Sequence, residues 1–327
     1  MIFVTGGAGY IGSHTVRSLL AAGHSVTVFD RFPKGTETIP PGVVTVRGDL
    51  ADLELLIDSL KQSKADAVFH FAGYIAAGES MQNPTKFFRN NISNSVNLLD
   101  AIVQSDVKKI IFSSSAGVYG DPEKLPIPED HPCRPTSTYG ETKYFFERML
   151  DWYDRIHGIR SICLRYFNAA GAHPSGEIGE SHDPESHLIP LALDAVIGLR
   201  KELQLFGDDY PTRDGTCVRD YIHVVDLADA HVLALQALDK GCDSSIYNLG
   251  TGNGYSNLEV LKTIEEVTGK PVPYRVVGRR EGDPSELYAS SDRAERELGW
   301  TPKYQDLRTI IETAWTWHQK LRGISAQ

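Results

Sequence analysis

The stretch Met1-Ile-Phe-Val-Thr-Gly-Gly-Ala-Gly-Tyr-Ile-Gly12 decides the fold of this chain. Its apolar run Ile2-Phe3-Val4-Thr5 is too short for a helix and suits a buried parallel strand. Gly6, Gly9 and Gly12 follow at G-x-x-G-x-x-G spacing, and a helical pattern then runs through Val16, Leu19 and Leu20. A strand that turns into a helix on glycines leaves backbone N–H groups facing the turn. Together with the helix dipole they make a pyrophosphate site. Glycine triplets alone are common in loops, so the flanking strand and helix are what give the motif meaning. Asp30 ends the run Ser25-Val-Thr-Val-Phe-Asp30, 18 residues past Gly12. In a dinucleotide fold that carboxylate accepts hydrogen bonds from the adenosine ribose hydroxyls and disfavours a 2′-phosphate. The cofactor expected is therefore NAD rather than NADP.

Outward from this motif, apolar runs at 43–46, 67–71, 110–112 and 162–166 alternate with helical patterns such as 53–60 and 94–103. Such alternation predicts an α/β fold, a doubly wound, Rossmann-like parallel sheet with ligands at the carboxyl ends of its strands. Several strand ends carry residues fit for that duty: Gly48-Asp49-Leu50, Phe71-Ala72-Gly73, Ser113-Ser114-Ser115 and Tyr166-Phe167-Asn168. Residues 1–168 are thus expected to form an NAD-binding domain. Beyond them the turn-rich Ala170-Gly-Ala-His-Pro-Ser-Gly-Glu177 breaks the rhythm, and a helix over 188–199 is expected to start near Pro190, which a first turn tolerates. Residues 169–327 read as a second, smaller, loop-rich substrate-binding domain. Ser245-Ile-Tyr-Asn-Leu-Gly250 reads as a strand, so a segment near 220–250 is expected to return to the large sheet.

The chain has 327 residues, 41% hydrophobic and 23% charged, with a formal net charge of −10. That charge argues against nucleic acid as a bulk partner, although a few local arginines can still dominate a pocket for an anion. Cys133, Cys163, Cys217 and Cys242 are scattered without C-x-x-C or His spacing and read as reduced thiols, with no metal site among them. The apolar run at residue 2 reads as a strand rather than a leader, and no run approaches the ~20 apolar residues of a membrane span. A cytoplasmic protein is expected.

The chemistry is concentrated at Tyr139-Gly-Glu-Thr-Lys143. Thr138 and Glu141 fit a capping box, which predicts Thr138 at the N-cap and Tyr139 in the first helical turn. Tyr139 and Lys143, four apart, share a helix face. A free tyrosine is a poor base at neutral pH. A neighbouring ammonium and the positive end of a helix both favour phenolate, so a lowered pKa is expected. Ser115, at a strand end, can relay the proton of a substrate alcohol.

At these residues the sequence resembles the extended short-chain dehydrogenase/reductase family, most closely its UDP-glucose 4-epimerase (UDP-galactose 4-epimerase) branch. The resemblance covers nearly the whole chain. It is carried by Val4-Thr-Gly-Gly-Ala-Gly-Tyr-Ile-Gly-Ser-His14, His70-Phe-Ala-Gly73, Phe112-Ser-Ser-Ser-Ala-Gly-Val-Tyr-Gly120, Leu164-Arg-Tyr-Phe-Asn168 and Gly171-Ala-His-Pro-Ser-Gly176. Most telling are Phe206-Gly-Asp-Asp-Tyr-Pro211, Asp214-Gly-Thr-Cys-Val-Arg-Asp-Tyr-Ile-His223 and Arg279-Arg-Glu-Gly-Asp283. The resemblance implies that Tyr139 is the base for the sugar 4-hydroxyl, Ser115 a bridge, and Lys143 a partner of both Tyr139 and the nicotinamide ribose. NAD would take hydride from C4 and return it to the other face of a 4-keto sugar. Tyr10, Ile11, Asp30, Asp49, Leu50, Phe71, Ala72, Asn90 and Phe167 match positions around NAD, beside Gly6, Gly9, Gly12, Gly73 and Ser113. Asn168, His187, Leu188, Phe206, Arg219, Arg280 and Asp283 match positions around the UDP-sugar, with the two arginines suited to diphosphate oxygens.

Three departures accompany the match. Ile75 stands where some epimerases carry Lys, and His187 replaces a frequent Asn. Leu287 occupies a position whose size is associated with sugar selectivity, so UDP-N-acetylglucosamine and UDP-N-acetylgalactosamine are expected to be accepted as well. A 4,6-dehydratase or decarboxylase of the same superfamily is the enzymatic rival. It needs an acid near the Ser/Thr, whereas Ser115 is followed by Ala116-Gly117. A catalytically inert NAD-binding regulator would be expected to lack Tyr139 or Lys143. A homodimer is implied by the family, with 91–103 and 142–156 as helices available for packing.

Overall fold

The computed structural model describes residues 1–32, 38–280 and 282–324. Six strands alternate with helices over the first half of the chain: β1 (Ile2–Thr5), β2 (Val26–Asp30), β3 (Val44–Arg47), β4 (Ala67–His70), β5 (Lys109–Ser115) and β6 (Arg160–Tyr166). The helices between and after them are α1 (Tyr10–Ala21), α2 (Leu53–Ser63), α3 (Ala77–Gln82), α4 (Pro84–Phe88), α5 (Asn94–Gln104) and α6 (Thr138–His157). A short π-helical turn, Arg89–Ser93, leads into α5.

Later strands are β7 (Asn168–Ala170), β8 (Leu203–Phe206), β9 (Val218–His223), β10 (Ser245–Leu249), β11 (Gly254–Ser256), β12 (Tyr274–Val277) and β13 (Glu286–Leu287). They are joined by α7 (Leu188–Val196), α8 (Val224–Asp239), α9 (Asn257–Thr268), α10 (Asp292–Leu298) and α11 (Leu307–Leu321).

The main sheet is wholly parallel, in the order β10-β6-β5-β4-β1-β2-β3. The strand order reverses between β1 and β4, which opens a crevice at their carboxyl ends. β1, β2 and β4 are apolar and almost wholly buried because helices cover both faces. One face packs against α1 and α8 through Val16, Leu19, Leu227 and Leu235. The other packs against α2, α5 and α6 through Leu56, Leu98, Phe146 and Leu150. Beyond residue 169 lie two small sheets, one built on β9 with β7, β11 and β13, the other pairing β8 with β12. A separate core of Ile189, Leu193, Ile264, Ile310 and Ile311 holds α7, α9 and α11 together.

Local boundaries differ from the sequence reading in two places. The N-cap of α6 is Ser137, whose hydroxyl accepts from Gly140 N at 3.1 Å, so Thr138 is already helical. A serine with extended backbone satisfies the orphan amide one residue earlier than the Thr138–Glu141 pairing suggested. Helix α7 stops at Val196 rather than 199, just ahead of Gly198 with φ +78°.

Candidate active site

The glycine turn lies at the crevice. Gly6 has φ +73°, and a Cβ there would sit 2.5 Å from Ala72 N. A Cβ on Gly12 would run into the Gly6 carbonyl. Both positions need glycine because three backbone segments meet there. Helix α1 starts with no side-chain cap and no acid in its first turn, so no side chain of the helix itself competes for the amides at Tyr10, Ile11 and Gly12. Asp30 lies beside the turn, its carboxylate accepting from Ala8 N at 3.0 Å and Phe32 N at 2.9 Å. These features fit a dinucleotide: a close-approach turn, an uncapped helix start and a carboxylate held at the neighbouring strand end.

The other residues expected around NAD line the same strand ends. Phe71, Ala72 and Gly73 follow β4, with Ala72 against Gly6. Asp49 follows β3, accepting from Ala51 N at 2.9 Å, and Leu50 beside it is buried. Asn90 donates to Asn91 Oδ1 at 2.9 Å. Tyr10 uses its hydroxyl structurally, donating to Gly171 O at 2.6 Å. Phe167 is buried between β6 and β7.

Tyr139 and Lys143 stand on consecutive turns of α6 over the end of β5. Lys143 is buried and donates from Nζ to Ser113 O at 2.7 Å, with the ammonium 5.8 Å from the centre of the Tyr139 ring. Burial lowers its pKa to about 8, against the opposing pull of Glu147. The Tyr139 phenol is pushed above its ordinary value by burial, partly offset by a hydrogen bond from Ser115. This corrects the expectation of a lowered phenol. The nearby ammonium is itself weakened and points at Ser113 O, so desolvation outweighs it. Ser115 also caps the turn Ala116–Val118, accepting from Gly117 N at 3.1 Å, and no carboxylate follows it in that turn. The Ser113 hydroxyl is hydrogen-bonded to the Tyr166 phenol.

On the substrate side, β9 and β13 lie parallel with Arg219 opposite Leu287. Asp283 accepts two hydrogen bonds from Arg280, both at 2.9 Å, and lies 3.7 Å from Arg219 Nη2. The Arg280 guanidinium is 5.5 Å from the Phe206 ring centre. Phe206, Arg219, Arg280, Asp283 and Leu287 are therefore one cluster, tied to α3 by Gly78 near Arg280 and to the start of α6 by Thr136 near Gly282 O. Glu281 lies outside the described residues. Leu287 packs with Phe167, Val118 and Tyr119. Asn168 pairs in register with Tyr221 of β9. Leu188 is the first residue of α7, and the side chain of His187 turns to Glu180 and Glu185. Ile75 is exposed.

Four supporting residues escaped the sequence reading. Asn91 is buried, accepts from Tyr74 N and donates to Tyr74 O and Thr142, bracing the loop after β4 against α6. Ser80 accepts from Tyr139 N at 3.0 Å. Glu147, one turn beyond Lys143, forms a bidentate pair with Arg165 at 2.9 and 2.6 Å, both side chains buried. Burial alone would lower the guanidinium pKa, but Glu147 holds it well above its usual value. Arg165 also donates to Tyr119, which donates to Asn248. The i, i+4 spacing of Lys143 and Glu147 was the available signal for Glu147 alone, and nothing local pointed to Arg165 as its partner.

Comparison with known proteins places the site in context. The family model described as NAD dependent epimerase/dehydratase matches residues 2–250. A UDP-glucose 4-epimerase of Lacticaseibacillus casei is 50% identical over 319 residues, covering 97% of this chain and 96% of the relative. A crystal structure of UDP-glucose 4-epimerase from Brucella ovis in complex with NAD superposes with a TM-score of 0.93 at 44% identity, covering 96% of this chain and 97% of that one. The enzyme from Bifidobacterium longum, solved with NAD+ and UDP, gives 0.92 at 40% identity, with 98% of each chain covered.

Proposed function

The chain belongs to the NAD dependent epimerase/dehydratase family, and from that premise we propose how its residues carry out their reaction. That reaction is the reversible C4 epimerisation of UDP-glucose and UDP-galactose, with NAD as cofactor, through a 4-keto sugar. The amides of the turn Gly6, Gly9, Tyr10, Ile11 and Gly12 hold the pyrophosphate, and Asp30 holds the adenosine ribose. Asp49, Leu50, Phe71, Ala72, Gly73, Asn90, Ser113 and Phe167 line the rest of that groove. When bound, NAD accepts the C4 hydride and later returns it.

Tyr139 takes the proton of the sugar 4-hydroxyl through Ser115 and gives it back to the 4-oxygen after the sugar has turned its other face. Burial raises the phenol pKa and the Ser115 hydrogen bond lowers it, so Ser115 favours the base form that accepts this proton. Lys143, fixed by Ser113 O, positions Tyr139 and the nicotinamide ribose. Arg219 and Arg280 hold the diphosphate and Asp283 a ribose hydroxyl of UDP. Asn168, His187, Leu188, Phe206 and Leu287 shape the remainder. The observation that carries this reading is the placement of Tyr139 and Lys143 together over the β5 strand end, in the same sheet as the glycine turn after β1. UDP-galactose deuterated at C4 tests it: the label should stay at C4 of the UDP-glucose formed, with no net consumption of NAD. Loss of the label to water would contradict it.

The same reading extends to the N-acetylated UDP-sugars, because Leu287 is shorter than Tyr and carries no hydroxyl. It also extends to a homodimer. Phe145, Trp152 and Ile156 lie exposed along one stripe of α6, supporting a helix contact with a second copy. Trp152→Glu should convert a dimer to a monomer in light scattering, and a monomeric wild-type protein would remove the idea. Four free cysteines suit a cytoplasmic setting.

A further inference from the structure

We propose that Glu180, His182, Glu185 and His187 form a closed, four-ligand site for a zinc ion, apart from Ser115, Tyr139 and Lys143. The four occupy the spacing Glu-x-His-x-x-Glu-x-His in the loop that ends at the N-terminus of α7. One ligand atom from each lies within 4.8 Å of all the others. His182 Nδ1 is 3.1 Å from Glu180 Oε1 and 3.7 Å from Glu185 Oε2. His187 Nδ1 is 2.6 Å from Glu180 Oε1 and 3.3 Å from Glu185 Oε1. Tetrahedral zinc with bonds near ~2.05 Å needs ligand atoms about 3.3 Å apart, so a set lying within 4.8 Å has only to draw in around the ion.

A second observation points the same way. Glu180 is 8% exposed, and its Oε1 makes no hydrogen bond; neither do Nδ1 of His182 and Nδ1 of His187. These three buried atoms crowd one point with only one another for neighbours, in contacts that lack hydrogen-bond geometry, and with neutral imidazoles that arrangement is costly unless a cation sits among them. A divalent cation neutralises the two carboxylates while the imidazoles stay neutral. The ligands are also braced from behind. The Glu185 carboxylate accepts from the amides of Ser186 and His187 at 2.8 and 3.0 Å, and Trp317 Nε1 donates to Glu180 O at 2.8 Å. Mixed imidazole and carboxylate ligands in a four-fold set suit zinc better than calcium or magnesium.

Four protein ligands leave no open position, so the role is structural. The loop is anchored at Gly171 by the Tyr10 hydroxyl of α1 and runs into α7 and Leu188. An ion there would close the loop 180–187 on itself and fix the start of α7. His187 also stands among the residues proposed around the UDP-sugar, so the test below reads metal content and spectrum and not turnover.

The test is metal analysis of the intact protein. Protein purified without chelator should contain about one zinc per chain by mass spectrometry. After stripping with chelator, Co2+ should bind one to one and give intense visible bands of a four-coordinate site, and Zn2+ should displace it and raise Tm. The double variant His182→Ala with Glu185→Gln should lose the Co2+ spectrum. His173→Ala, a nearby histidine outside the set, should keep it. If stripped wild-type protein gives only the weak spectrum of hydrated Co2+ and retains no zinc, the site does not exist and the four residues are a hydrogen-bonded charge cluster.

Discussion

A Cβ atom on Gly140 would collide with the carbonyl oxygen of Gly117, so the turn after β5 and the first turn of α6 touch backbone to backbone. This contact sets Tyr139 over Ser115. Gly140 is a helical residue, and replacing it with Ala in a free helix would stabilise by about 1 kcal/mol. Here Gly140→Ala must instead push the two turns apart. We expect turnover to fall on the order of 10²-fold, as displacements near an ångström do to aligned reacting groups. Bound NAD should be unchanged. Steady-state kinetics and nucleotide content measured on one preparation decide it, and wild-type turnover would show that the contact is not what positions the phenol.

The buried Glu147–Arg165 pair behind Lys143 leads to a stability prediction. Glu147→Ala strands a guanidinium in a dry interior and should cost about 3–5 kcal/mol in denaturant unfolding. The double change Glu147→Leu with Arg165→Met removes both charges and should recover most of that loss. A double variant as unstable as the single one would mean that packing, not charge, explains the cost.

Lys143 gives a pH dependence. Its folded pKa, about 8, is below the model-peptide value of 10.5, so folding favours the neutral amine. Its favourable contribution is present above about 10.5 and is lost as pH falls through about 8. In protein freed of NAD, wild type should therefore gain about 3 kcal/mol relative to Lys143→Met as pH rises from 8 to 10.5, with no further change below 8. A constant difference across that window would rule out a desolvated, depressed ammonium.

Leu287 sits opposite Arg219 and packs on Phe167. Lengthening it to Tyr should close space around the sugar C2 substituent. Apolar discrimination of this size is worth roughly 1–3 kcal/mol, so the expected change in kcat/KM ratio is tens- to hundreds-fold. Leu287→Tyr should lose the acetylated UDP-sugars and keep UDP-glucose and UDP-galactose. If the wild type never accepts the acetylated pair, residues other than Leu287 close the pocket.

Much of the fold could be read from the sequence because its signals are local. The glycine turn lies between a strand and a helix a few residues away, and the apolar runs of a two-sided parallel sheet are continuous. Tyr139 and Lys143 were legible for the same reason, since four residues on a helix fix a shared face. What was not legible depended on contacts distant in the chain. The Gly117–Gly140 contact, the Asn91 brace and the reach of Arg165 to Glu147 join segments that only the fold brings together. The Tyr139 phenol was misjudged because its pKa depends on burial, and spacing reports neighbours but not desolvation. The N-cap of α6 moved by one residue because Ser137 and Thr138 are equally good caps in sequence and only backbone geometry chooses between them.

The most direct test of the account is the turnover of Tyr139→Phe on UDP-galactose, measured on protein whose folding and NAD content match the wild type. The substitution keeps the ring and its packing against α6 and removes only the oxygen that exchanges the proton. Loss of a general base predicts a fall in kcat of roughly 10²–10⁴-fold. Turnover near that of the wild type would contradict Tyr139 as the base.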